Sequence, residues 1–331
     1  MLQNGRREKA AGAPPRVTVG VPVFNGEAFL EETLNSLLAQ TYHDFEVIVS
    51  DNGSTDRTEE ICRACAARDP RVRYVRSDVN RGAAWNHNRL FELAQGELFK
   101  WNSADDVCAP EFLLRCVEAL DRDPAAVLAC GSVLEIDELG APLTSRTIPA
   151  AGSSEDAVER FGRHVELDHL CIHIYGVIRS SVLRRTDRIG SFTDSDRVLL
   201  AHLALFGHFI VLPETLFFNR HHPKRSTQVY VGWRSRTVWF DPDAAHRKLF
   251  PFWTEFFAFW GVIRRSPLSG HARARCRLVM LRWLWHYKKY LFYEDLSYYP
   301  RQWVARRVPG AKALWSWLKH GAPDAGMGSA K

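Results

Sequence analysis

Asp105 and Asp106 stand side by side at the end of an apolar run, in GELFKWNSADDVCAPEFL (96–113). Adjacent like charges repel, so the pair marks either a solvated surface turn or a place where a cation neutralises it. Two other acids close comparable runs: Asp51 ends FEVIVSD (45–51) and Asp78 follows RVRYVRS (71–77). Asp-Asn-Gly at 51–53 is good turn chemistry by itself. Four acids at matching positions are harder to assign to turns alone. A carboxylate rim repels phosphates unless a divalent ion lies between them. Mg2+ or Mn2+ held by one or two carboxylates plus phosphate oxygens is the usual arrangement.

These acids can converge only if the segments before them are neighbouring strands. RVTVGVPVF (16–24), FEVIVSD, RVRYVRS and ELFKWNSADD (97–106) are short, apolar and β-rich, and each ends in turn residues. Between them, residues 26–41, 56–69 and 82–96 carry apolar side chains at helical spacing. Pro110 can start another helix over 110–123, and AAVLACGSVLEID (125–137) returns as strand. Strands alternating with helices imply a parallel sheet with helices on both faces. Ligands of such sheets lie beyond the carboxyl ends of the strands, where all four acids fall.

Composition narrows the classes. The chain has 331 residues, 46% hydrophobic and 25% charged, enough for a large core. No G-x-G-x-x-G follows the first strand and no G-x-x-x-x-G-K-[ST] occurs, which argues against dinucleotide oxidoreductases and P-loop enzymes. The seven cysteines form no tight ligand cluster, and Cys62-x-x-Cys65 falls inside a helical pattern, a structural placement. An odd cysteine count without a signal peptide fits a reducing cytoplasm. No apolar run approaches the ~20 residues of a membrane span.

VGVPVFNGEAFLEETLNSLLAQTYHDFEVIVSDNGSTDRT and NRGAAWNHNRLFELAQGELFKWNSADDVCAPEFL resemble the start of family 2 glycosyltransferases, a resemblance covering residues 16–225. It implies a GT-A fold, an α/β Rossmann-like, mostly parallel sheet flanked by helices. It also implies a nucleotide-sugar donor, Mn2+ or Mg2+, and inversion at the anomeric carbon. Carried over by position, Pro22 and Phe24 line the nucleobase pocket. Asp51 accepts the imide N–H of uracil or thymine, a role suited to an acceptor-only carboxylate. Asp78 contacts base or ribose, and Arg81 faces the nucleotide. Where the family reads Asp-x-Asp, this chain has Ser103-Ala104-Asp105. Asp105 is then the direct metal ligand with Asp106 in support, and Ser103 and Ala104 stay on the nucleotide side.

GSFTDSDRVLLAHLALFG (190–207) resembles the segment that supplies the family's general base. Asp196 takes that place, with Asp194 as the second candidate and Ser195 where Glu is common. The competing reading is a helix N-cap, since residues 193–196 are all capping types. FFNRHHPKRST (217–227) resembles the family's basic tail. There His222 is a third metal ligand or a diphosphate contact, and Arg220, Lys224 and Arg225 neutralise the leaving phosphates. The competing reading is a basic loop with no ligand. Asp168, His173 and Tyr175 are acceptor contacts, or polar residues satisfied within an apolar strand. Trp101 is core.

Residues 219–320 hold 20 Lys/Arg against 5 Asp/Glu, a net +15 in a chain of +6, and nine of the eleven Trp. The division expected is a lead-in over 1–15, a catalytic domain over 16–227, a basic helical extension over 228–320 and a tail over 321–331. The extension packs on the catalytic domain, lies on an anionic membrane, or joins subunits. No motif supports nucleic-acid binding. A nucleotidyltransferase shares the sheet topology but needs a Gly-rich basic loop that PVFNGEAF lacks. A catalytically degenerate nucleotide-sugar-binding protein is the other alternative, with Ser103 and Ser195 in its favour. UDP- or dTDP-sugars are the donors favoured, and the acceptor is unknown.

Overall fold

Val17, Val19, Val21 and Val23 are all buried, and so are the residues between them except Pro22. A β-branched run covered on both faces is the mark of an interior parallel strand. The structure is a computed structural model that describes residues 13–146, 152–166, 171–305 and 307. Asp168, most of the expected lead-in and the 321–331 tail lie outside the described residues.

The strands are β1 (Val17–Val23), β2 (Phe45–Asp51), β3 (Val72–Arg76), β4 (Leu98–Trp101), β5 (Val107–Cys108), β6 (Ala126–Ile136), β7 (Pro142–Arg146), β8 (Val177–Arg179) and β9 (His208–Arg220). They form one sheet in the order β3-β2-β1-β4-β8-β6-β9-β5, with β7 beside β6. The first four are parallel, as expected. The second half is mixed: β8 runs against both β4 and β6, and β6 is parallel to β9. Parallel register sets Val23 opposite Asp51 and Asp51 opposite Arg76, so the strand ends are level.

Helices α1 (Leu30–Leu38), α2 (Thr58–Arg68), α3 (Ala83–Leu93), α4 (Phe112–Arg122), α5 (Ala157–Glu166), α6 (Ser180–Leu183) and α7 (Ser195–Ala204) follow their strands. Then come α8 (Ser226–Val229), α9 (Trp233–Phe240), α10 (Pro251–Arg265), α11 (Gly270–Tyr290) and α12 (Tyr298–Ala305), with a π-helical turn over Leu291–Leu296. The expected helices are present. Pro110 precedes α4 rather than opening it, since the first helical residue is Phe112. α4 buries Phe112, Leu113, Cys116, Val117 and Leu120, one helical face.

One core fills both sides of the sheet. In a second, Phe252, Phe256, Phe259 and Val262 of α10 and Cys276, Met280 and Trp283 of α11 pack with Val158, Phe161 and Val165 of α5 and Val198 and Ala201 of α7. The C-terminal helices therefore complete a core that α5 and α7 begin. All seven cysteines are free thiols, and burial pushes Cys62 up to about 12, which suits a structural rather than reactive role. Among the described residues no helix is long and apolar enough to cross a membrane.

Gly82 shows how tightly the extension is tied in. It enters α3 with φ +87° and ψ 162°, a region open essentially to glycine. A Cβ there would lie 2.4 Å from the Phe240 carbonyl oxygen. Gly82→Ala should destabilise the fold by roughly 1–3 kcal/mol or more. Urea denaturation reads this directly; an unchanged midpoint would refute the close approach of the 240–242 segment.

Candidate functional site

Beyond Trp101 the chain folds back on itself before β5. Trp101 is buried, as expected, and donates its indole N–H to the His87 carbonyl at 3.0 Å. Beside it, buried Lys100 donates to the carbonyls of Trp101 and Tyr175 at 3.0 and 2.7 Å, which ties the β4 end to the 172–175 turn. In the next turn Ser103 Oγ donates to Asp105 Oδ1 at 2.5 Å. His222 Nε2 lies 2.9 Å from Asp105 Oδ2, and its ring packs on Phe29 at 4.7 Å. Residues 117 positions apart thus meet across the sheet end.

Asp106 does something different. It is buried and accepts from Asn219 Nδ2, which lies 3.0 and 3.1 Å from its two oxygens, and from the Arg220 backbone N–H at 2.8 Å. With its oxygens so engaged, it braces the turn against β9 and does not present a free metal-binding face. Arg220 also departs from expectation. It is 1% exposed and donates to the carbonyls of Asp105, Asp137 and Glu138 and to Glu32. A guanidinium so enclosed cannot meet a leaving diphosphate. Arg225 is half-buried, donates to Asn219 Oδ1 at 2.9 Å and lends its charge to Asp105, while Lys224 is exposed.

The two aspartates separate electrostatically. Burial pushes the Asp105 carboxyl up, but hydrogen bonds from His222 and Ser103 outweigh it and hold the group below its ordinary range. Burial and the adjacent Asp105 charge push Asp106 up to about 8. Among the described residues no three His, Cys, Asp or Glu side chains converge as a ready cation cage.

Pro22 and exposed Phe24 lie at the β1 end. The β2 and β3 loops interlock there: Gly53 has φ +81°, and a Cβ on it would lie 2.9 Å from the Val79 carbonyl carbon. Asn52 donates to Asn80 Oδ1 and the Gly82 carbonyl and accepts the Arg81 N–H at 3.0 Å. Asp78 and Arg81 are exposed on this rim, Arg81 stacked 5.0 Å from Trp85. Asp51, by contrast, is 0% exposed. It accepts from the Ser54 N–H, the Tyr74 hydroxyl and Arg76 Nη1 at 2.8, 2.7 and 2.9 Å. A nucleobase reaches Asp51 only if Arg76 swings aside.

At the opposite wall, Tyr175 stacks on Phe217 at 5.4 Å. Burial raises its phenol well above the ordinary range, and the charges of Asp106, Asp105 and Asp196 add to that. One side chain thus feels the paired aspartates and the α7 acid together. His173 does not line this wall. Its ring is 0% exposed, between His164 and Phe209, so contact with an acceptor is ruled out. Asp194 occupies the α7 N-cap with φ +60°, yet its side chain makes no capping hydrogen bond; it lies 3.8 Å from Arg236. Asp196, one turn-position on, is half-buried and accepts the Arg197 N–H at 2.9 Å.

A sequence profile described as "Glycosyl transferase family 2" matches residues 18–185, about half of the 331-residue chain. The chain belongs to glycosyl transferase family 2. Its relatives include the "Uncharacterized glycosyltransferase EpsJ" of Bacillus subtilis (strain 168), 32% identical over 117 residues. That match covers 35% of this chain and 34% of the relative. Glycosyltransferase GlyG of Streptococcus pneumoniae serotype 4 is 32% identical over 122 residues, 37% of this chain and 40% of the relative. Sequence similarity thus reaches little more than a third of these relatives' length. Among solved structures, S. aureus TarS 1-349 in complex with UDP-GlcNAc superposes with a TM-score of 0.58 at 18% identity, covering 81% of this chain and 71% of TarS 1-349. The UDP complex of the same protein gives 0.56. The GT-A fold expected from the sequence is the fold found.

Within this family 2 chain, the residue that sequence reading missed most plainly is Glu255. It is the one acid in the aromatic run PFWTEFFAFWGVIRR of α10, and that isolation was its only signal. It is 3% exposed, and its Oε1 has no hydrogen-bond partner among the described residues. Burial, then the charges of Asp194 and Asp196, push it up to about 8, partly offset by Arg197. Arg197 is itself pinned to the carbonyls of His164 and Val165. Asn219, Arg76 and Tyr74 were also missed, because their roles depend on partners distant in sequence.

Glu255 makes stability fall with pH. Unfolded, its carboxyl ionises near 4.5; folded, near 8. The unfolded chain releases this proton first, so stability is lost as pH rises between those values and is flat above them. The loss amounts to roughly 3–5 kcal/mol at 1.36 kcal/mol per unit. Glu255→Gln should remove it, so its urea midpoint should exceed the parent's more at pH 8 than at pH 5. Parallel pH profiles would contradict the assignment.

Proposed function

We propose that this chain is an inverting, metal-dependent glycosyltransferase that moves a sugar from a nucleoside-diphosphate donor, UDP- or dTDP-sugars being favoured, to an acceptor hydroxyl. The observation that carries the reading is the 2.9 Å approach of His222 to Asp105 at the sheet end. A carboxylate beside an imidazole suits Mn2+ or Mg2+, with phosphate oxygens completing the shell. Asp105 and His222 would hold that ion, which supplies charge neutralisation for the departing diphosphate. The family and the UDP and UDP-GlcNAc complexes of the TarS neighbour support the donor class.

In this account Phe24, Arg81 and Asp78 form the exposed rim that receives the nucleotide, and Asp51 sets the floor beneath it. Asp196 takes the acceptor hydroxyl proton as the oxygen bonds to the anomeric carbon. The bond from that carbon to the diphosphate oxygen breaks on the opposite face, hence inversion. Arg225 and Lys224 face the departing charge. Tyr175 lines the space between. Seven free cysteines, six of them buried, favour a reducing compartment, consistent with a cytoplasmic enzyme.

A panel of UDP-, dTDP- and GDP-sugars with Mn2+ should reveal transfer or slow donor hydrolysis. Asp196→Asn should keep nucleotide affinity within a few-fold while lowering turnover by about 10²–10⁴-fold. Undiminished turnover in that variant would exclude Asp196 as base, and Asp194→Asn is the control.

A further inference from the structure

α11 is 21 residues long and carries Arg273, Arg275, Arg277, Arg282, Lys288 and Lys289 but no Asp or Glu. Its inner face buries Cys276, Val279, Met280, Trp283 and Tyr287. A helix of this kind would ordinarily turn a polar face outward. Instead Leu278, Leu281 and Trp285 form a stripe on the outer face, 57%, 57% and 73% exposed. At 100° per residue these three lie within one narrow sector, with Arg282 and Lys289 on one flank and Arg277 and Lys288 on the other. α10 extends the patch through Phe257 and Trp260, both exposed. The Arg277 guanidinium lies 5.5 Å from the Trp260 ring centre, which joins the two helices' stripes. The Lys288 ammonium sits 3.2 Å over the Trp285 ring.

We propose that this face of α10 and α11 lies on an anionic phospholipid bilayer, with Leu278, Leu281, Trp285 and Phe257 in the headgroup boundary and the flanking cations against lipid phosphates. Exposed indole and leucine between rows of Arg and Lys is the makeup of an interfacial helix. The positive flanks match the negative potential of an anionic leaflet. Arg277, Lys288 and Lys289 have no acidic partner among the described residues, whereas Arg275 and Arg282 are partnered by Asp156 and Glu166. The helix rests on the bilayer and does not cross it. A second copy of the chain is a poorer occupant, because apposed α11 faces would bring like charges together. A nucleic acid would meet the cations but leave the aliphatic stripe in water. The inference is independent of the proposed transfer chemistry.

The test is co-sedimentation of the full chain with vesicles of phosphatidylglycerol and phosphatidylcholine, and with phosphatidylcholine alone. Binding should require the anionic lipid and weaken as salt is added. The double variant Leu281→Ser/Trp285→Ser should lower partitioning by about tenfold or more with an unchanged melting temperature, since both side chains face solvent. Lys288→Gln/Lys289→Gln should lower it on anionic vesicles only. Failure to sediment with anionic vesicles overturns the proposal, as does equal partitioning of the stripe variant. A dimer in sedimentation velocity that the stripe variant dissolves, with no vesicle binding, overturns it in favour of self-association.

Discussion

Everything at the site depends on keeping two adjacent carboxylates in a largely buried turn. Neither would stay there alone, since desolvating a carboxylate is costly unless donors replace water. The chain solves this by giving each a different set of donors. Asp106 takes the Asn219 side-chain amide and the Arg220 backbone N–H and becomes part of the sheet's framework. Asp105 takes Ser103 at Oδ1 and His222 at Oδ2 and stays partly exposed. The end of β9 supplies Asn219 and Arg220 to Asp106, and His222 just beyond it meets Asp105, so the position of His222 and the position of the turn are one constraint.

That constraint explains why β9 is long and irregular. Its 13 residues run parallel to β6 through several register shifts, then deliver Asn219 and Arg220 to the turn. Arg220 reaches on to Glu32 of α1 and lies 4.9 Å from the Phe29 ring that carries His222. The C-terminal helices act on the other wall. α10 places Glu255 behind α7, within the field of Asp194 and Asp196, and shares a hydrophobic core with α5 and α7. The extension is thus structural support for the acid proposed as the base.

Much of the first half of the sheet was legible in the chain. β1 to β4 are local, strongly apolar segments, and their ends could be placed from Asp51, Asp78 and Asp105 because strand periodicity and turn residues are short-range signals. The second half was less legible. β8 has three residues and β5 two, too short for any period, and their pairing is decided by β6 and β9 far along the chain. The His222–Asp105 contact followed only from family resemblance. The burial of His173 was one of two alternatives the sequence left open, and that of Arg220 could not be read: both are polar residues whose burial depends on tertiary partners, aromatic rings for one and backbone carbonyls for the other. Glu255 was hidden for the same reason.

The central claim is that Asp105 and His222 act as a pair on one divalent ion that holds a diphosphate. Calorimetric titration of UDP in Mn2+ into the parent chain, Asp105→Ala, His222→Ala and the double variant tests it most directly. If they share an ion, each single change should abolish the Mn2+-dependent part of the affinity and the double change should cost little more than either one. Additive losses, or UDP affinity indifferent to Mn2+ in the parent chain, would contradict the account.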